Sequence, residues 1–179
     1  MHIVTLTRLN RALSTVVNEL NSFGFWDDKL SKVEVYLVNV GIAYGWQYFG
    51  STGEICIPAV SASRLSKFLG FETSGLTDVL RHEYGHAIAD THRGLFHSPD
   101  FAKAFGDKHS SEQEFEHDPY FSVSKYASKN ASESFAEVVM FFLKHKGKLP
   151  AKFDTLPIRR QWLFVENLAK AIANGKTRW

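Results

Sequence analysis

Apolar residues recur every three to four positions over residues 7–23, where Leu9, Leu13, Val16, Val17 and Leu20 fall on one side. That spacing predicts an amphipathic helix, which Gly24 ends. The period then changes. Residues 33–40 read VEVYLVNV, with Val33, Val35, Leu37 and Asn39 alternating against Glu34, Tyr36, Val38 and Val40. β-branched and aromatic residues on both sides of the alternation predict a central strand covered on both faces. Residues 46–49 and 54–58 read as two more strands joined by the turn Gly50-Ser51-Thr52-Gly53. Pro58 has no N–H for a ladder, so the second of these strands is expected at a free edge or to end there.

Helical periods dominate the rest. A short helix is expected over residues 61–69, closed by Gly70. Thr77 is the expected N-cap of a helix that runs to about His92, stops before Gly94, and packs Leu76, Val79, Leu80, Ala87 and Ile88 on the sheet. Ser98-Pro99-Asp100 opens a short helix over residues 101–105. Residues 106–125 read as a polar loop carrying Glu112, Glu114, Glu116 and Asp118. A helix begins at Asn130 or Ala131 and runs to about His145, and Leu156-Pro157 opens a last one with Ile158, Trp162, Val165 and Ile172 inward. No repeat or linker interrupts this order. The reading is a single α+β domain: an N-terminal helix in 1–30, a small, mostly antiparallel sheet with a helix in 31–95, and a helical lower subdomain in 96–179.

Composition narrows the class. The 179 residues are 44% hydrophobic and 22% charged, enough to bury a core without cross-links. A formal charge of +2 with no basic run argues against a nucleic-acid partner. Cys56 is the only cysteine and lies in the apolar run Ile55-Cys56-Ile57, so it is expected as a small buried hydrophobe. Arg8, Asn10, Arg11, Asn18 and Glu19 interrupt any leader-like apolar stretch, and no segment reads as membrane-spanning. A cytoplasmic protein is the expectation.

Candidate chemistry concentrates in His82-Glu83-Tyr84-Gly85-His86, an HExxH motif in the middle of a predicted helix. Positions four apart share a helix face, so both imidazoles can bind one Zn²⁺ while Glu83 serves as general base beside the open coordination site. Gly85 is expected to leave room for a neighbouring element. A catalytic zinc needs a third protein ligand, and two candidates compete. His92 stands where HExxHxxGxxH places its last His, but Ala89 replaces the glycine that would break the helix. Ten residues along a continuous helix is ~15 Å. Met140 also lies in a helical run rather than in the turn which that pattern requires. The plainer reading of His92 is a cap at the helix C-terminus. Glu133 is the rival: with Glu137 it shares one face of the helix after Asn130, where one carboxylate can bind metal and the other orient an imidazole.

HEYGHAIAD followed by E-x-F-A-E resembles the gluzincin metallopeptidases, most closely the group containing the anthrax lethal factor catalytic domain and the Pro-Pro endopeptidases. The likeness in organisation covers residues 33–146, with sharp identity only at 82–90 and 126–137. It implies Glu133 as third zinc ligand and Tyr126, seven residues earlier, as donor to the oxyanion of peptide hydrolysis. Asp90 matches an HExxHAxxD extension of that class and is expected to make a buried hydrogen bond. The strand over 54–58 would be the cleft's upper rim, where an extended peptide adds by β-augmentation. At least two of Trp46, Tyr48 and Phe49 are expected in the core, and His97, His109 and His117 as solvated loop residues. The expected activity is a zinc metalloendopeptidase of narrow specificity acting on a peptide or protein. The alternatives are an intracellular protease cutting one repressor or partner, and a zinc-stabilised binding protein without turnover.

Overall fold

The computed structural model describes residues 3–39, 45–60, 75–92, 94–106 and 117–179. The helix expected over 61–69, the acidic stretch 112–116 and His109 lie outside the described residues.

Helix α1 (Leu6–Phe23) starts from Thr5, whose hydroxyl accepts the Arg8 N–H, and ends at Gly24 in the left-handed region, φ 88°. It buries Leu9, Ala12, Val16 and Leu20, while Leu13 packs half-buried at the side of that stripe. Strands β1 (Glu34–Val38), β2 (Gly45–Tyr48) and β3 (Gly53–Pro58) form one sheet in the order β1-β3-β2. β3 runs parallel to β1, from Glu34 opposite Glu54 to Val38 opposite Pro58, and antiparallel to β2. Phe49 N–H donates to the Thr52 carbonyl and closes the β2–β3 hairpin.

Three strand expectations are corrected. The sheet is mixed rather than mostly antiparallel. Residues 34–38 form an outer strand of the described sheet, whereas the strand around 54–58 is its centre. Burial explains the exchange. β3 buries Ile55, Cys56, Ile57 and Pro58 in succession, as a strand flanked on both sides does. β1 buries one face only: Val35 and Leu37 pack against the core while Glu34 and Tyr36 are exposed. Fewer aromatics join the core than expected, since of Trp46, Tyr48 and Phe49 only Trp46 packs against it among the described residues. Trp46 packs half-buried against the core and stacks on Tyr48, but Phe49 is 62% exposed.

Helix α2 (Leu76–Thr91) carries the HExxH residues. Its N-cap is Gly75, with no side-chain cap, and Thr77 falls inside the first turn instead. Asp78 in that turn complements the helix dipole and takes both Arg81 (2.5 Å) and Lys144 (2.7 Å). Arg81 also grips Glu19 of α1 through two nitrogens, at 2.8 and 2.6 Å. α3 (Pro99–Phe105) is capped by Ser98, α4 (Ala131–Lys144) by Asn130 and α5 (Leu156–Ala173) by Thr155. The described residues thus form an α+β fold of five helices and three strands. α2 lies inside it, buried along most of its length, with α1, β2 and α4 against it. Among the described residues no helix is long and apolar enough to cross a membrane.

Candidate metal centre

His82 and His86 project from one face of α2, a turn apart, toward the first turn of α4. Asn130 sets that turn: its side-chain oxygen accepts the Glu133 N–H at 2.8 Å and starts the helix with Glu133 inside its first turn. Gly85 lets the two helices close. A Cβ built there would lie 2.8 Å from Ala136 Cα, so any side chain would push α4 away.

Three ligand atoms converge as a result. His86 Nε2 is 3.0 Å from His82 Nε2 and 3.2 Å from Glu133 Oε2, and His82 Nε2 is 3.1 Å from the same oxygen. A tetrahedral metal with bonds near ~2.0–2.1 Å needs donors about 3.3 Å apart, so the triangle matches one face of such a site. The hydrogen bonding around it points the same way. His82 Nδ1–H donates to Glu137 Oε1 at 2.9 Å, and Glu137 Oε2 accepts the Ser124 hydroxyl at 2.5 Å. His86 Nδ1 lies 3.4 Å from the Ser132 hydroxyl. With His82 Nδ1 held outward by Glu137, both Nε2 atoms and a carboxylate oxygen face one point, where a shared proton or a bound cation can satisfy them.

The electrostatics agree. Burial disfavours a charged His82, yet hydrogen bonds to Glu133 and Glu137 and the nearby Glu83 charge outweigh it and push this imidazole up to about 9. Burial would raise the Glu133 carboxyl, but hydrogen bonds to His82 and His86 hold it well below the usual carboxylate range. The pocket is built for positive charge at its centre, which a proton or a metal ion can supply.

Glu83 lies alongside, 4% exposed, with Oε2 accepting the Trp46 backbone N–H at 2.7 Å. Asp90, one turn past His86, accepts the Trp46 indole N–H at 2.9 Å and is half-buried. Tyr126, in a 3₁₀ turn (Tyr126–Ser128), packs edge-on to His82 with ring centroids 5.5 Å apart, and Lys129 Nζ sits 4.0 Å above its ring. His82, His86 and Glu133 are the metal-competent group among the described residues.

His92 is elsewhere. It is fully buried, its Nδ1–H donates to the Ile88 carbonyl at 2.8 Å, and its Nε2 is 3.2 Å from Asp27. His97 is exposed, and His117 lies 3.3 Å from the Ser128 hydroxyl. Cys56 is buried. Sequence reasoning missed Ser124, Ser132 and the hold of Trp46 on Glu83, because no local pattern announces a hydrogen bond between distant segments. Comparison with protein-family models, with curated proteins and with solved structures gives no match.

Proposed function

We propose that this chain is a zinc-dependent metalloendopeptidase of the gluzincin type, with a zincin-like arrangement of sheet, motif helix and glutamate helix. The observation that carries the reading is the triangle of His82 Nε2, His86 Nε2 and Glu133 Oε2, with Glu83 next in chain to one of its corners. Zn²⁺ held there would polarise a peptide carbonyl and lower the pKa of a water to ~7. Glu83 takes the proton of the attacking water and returns it to the leaving amine. Glu137 keeps His82 in the tautomer that offers Nε2. Tyr126 is the proposed donor to the negative charge that develops on the substrate carbonyl oxygen.

The rim for an extended substrate passes from β3 to β2. Trp46 N–H points away from β3 toward Glu83, and in an antiparallel ladder the carbonyl of the same residue points with it. The outward edge of β2 therefore borders the metal-ligand face, and a peptide laid along it would meet Trp46 and Tyr48.

The test loads wild type and Glu83→Gln with Zn²⁺ and offers both a mixed library of quenched fluorogenic peptides. Glu83→Gln is expected to keep one metal per chain and lose hydrolysis by about 10²-fold or more. A Glu83→Gln variant with full hydrolysis overturns the mechanism. A zinc-loaded wild type that cleaves no peptide leaves the zinc-stabilised binding protein in its place.

A further inference from the structure

One residue touches α2 at two points, at Glu83 between the two candidate ligand histidines and at Asp90 one turn beyond His86. The Trp46 backbone N–H donates to Glu83 Oε2 at 2.7 Å, and its indole N–H donates to Asp90 Oδ2 at 2.9 Å. The neighbouring position is shaped for the same contact. Gly45 has φ 85°, and a Cβ built on it would lie 3.2 Å from Glu83 Oε2 and 3.4 Å from Oε1. The start of β2 thus rests directly on the Glu83 carboxylate. Asp90 is the one side chain of α2 that pins the Trp46 side chain by a hydrogen bond among the described residues.

Resting on the peptidase reading above, we propose that Trp46 and Asp90 are positioning residues for the general base. The indole–Asp90 bond fixes the height of β2 over α2, and the backbone N–H then fixes Glu83 Oε2. Glu83 Oε1 makes no hydrogen bond to another described residue, so it is the oxygen left to receive the water's proton. The rotation of the carboxylate, not its presence, is what the pair controls. A general base misplaced by about 1 Å can cost on the order of 10²-fold in rate. The arrangement also divides the β2 edge by function. The Trp46 N–H is committed to Glu83, so a substrate backbone takes its first donor on that edge from Tyr48.

The experiment compares zinc-loaded wild type, Asp90→Ala, Asp90→Asn, Trp46→Phe and the Asp90→Ala/Trp46→Phe double variant on the library peptide that wild type cleaves fastest. It adds ¹H–¹⁵N spectra of the metal-free proteins. Asp90→Ala and Trp46→Phe are each expected to lower kcat about tenfold to a hundredfold, with KM within about twofold and zinc content unchanged. The double variant should be no slower than the slower single one, because both cut one link. Asp90→Asn keeps an oxygen for the indole and should retain most of the activity. In the spectra, Asp90→Ala should move both the indole and the backbone N–H signals of Trp46. Multiplicative loss in the double variant, or full kcat in Asp90→Ala, overturns the proposal. If wild type cleaves nothing, the peptidase reading falls by itself. The spectra still decide the linkage, since a Trp46 backbone signal unmoved by Asp90→Ala overturns it independently.

Discussion

His82 and His92 lie on the same stretch of chain and are both buried, yet their proton affinities move in opposite directions. Burial disfavours the charged ring in each. At His82 two carboxylates hydrogen-bond to the ring and win; at His92 burial wins over the Ile88 carbonyl and Asp27, and the imidazole is held below its ordinary value. The sign of the consequence follows. Folded His92 resists the proton that the unfolded chain accepts near pH ~6.5. Its contribution to stability is therefore complete above about pH 6.5 and is lost as pH falls from there toward the folded value, at no more than about 1.4 kcal/mol per pH unit. Urea midpoints between about pH 7.5 and 5 should fall less steeply for His92→Asn, whose amide can still donate to Ile88, than for wild type. Parallel curves for the two proteins would remove His92 as the cause. The experiment also separates this histidine from the candidate metal ligands, which lie on another face of α2.

Between elements, the contact that matters most is Gly85 against Ala136. Helix propensity alone makes Gly85→Ala favourable by about 1 kcal/mol. The packing opposes it, because the new methyl would sit 2.8 Å from Ala136 Cα, which is backbone and cannot rotate aside. Overpacking of this kind typically costs about 1–3 kcal/mol. Gly85→Ala is expected to lower the denaturation midpoint and, by moving α4 outward, to weaken zinc affinity in a competition titration. A variant more stable than wild type with equal affinity would show that the helices have room. This pair marks the boundary of what sequence discloses. The i, i+4 histidines, the start of α4 at Asn130 or Ala131 and the glycine's spatial role were legible, since each is a local rule. The strand order was not. β1 and β3 are similarly apolar, and alternation within a strand says nothing about which strand acquires two neighbours. Thr77 failed as a cap for a related reason: Gly75 can adopt the extended N-cap geometry two residues earlier without any side-chain signal. Trp46 against Glu83 and Ser124 against Glu137 were closed to local reading because tertiary packing alone brings those segments together.

Across the whole molecule the candidate centre joins two helices that meet only through the fold. His82 and His86 come from α2 and Glu133 from α4, with long stretches of chain between them, so a bound ion cross-links the interior as well as completing a site. Much of the surrounding core already holds these helices together: Gly85 meets Ala136, and Arg81 ties α2 to α1 while Asp78 ties it to α4. The fold should thus persist without metal, and the ion should add to it by mass action. At a free zinc concentration of 100 times Kd the gain is ~2.7 kcal/mol, provided that the unfolded chain does not bind. Chelated wild type is expected to melt cooperatively, and added Zn²⁺ to raise its Tm in a concentration-dependent way. Glu133→Ala removes the α4 half of the cross-link and should lose most of that increment, whereas His92→Ala should show the full zinc-dependent rise from a lower starting point. The comparison is between increments, so a change in baseline stability does not disturb it. Equal increments in Glu133→Ala and wild type would place the metal on α2 alone; a lost increment in His92→Ala would move the third ligand to the end of that helix.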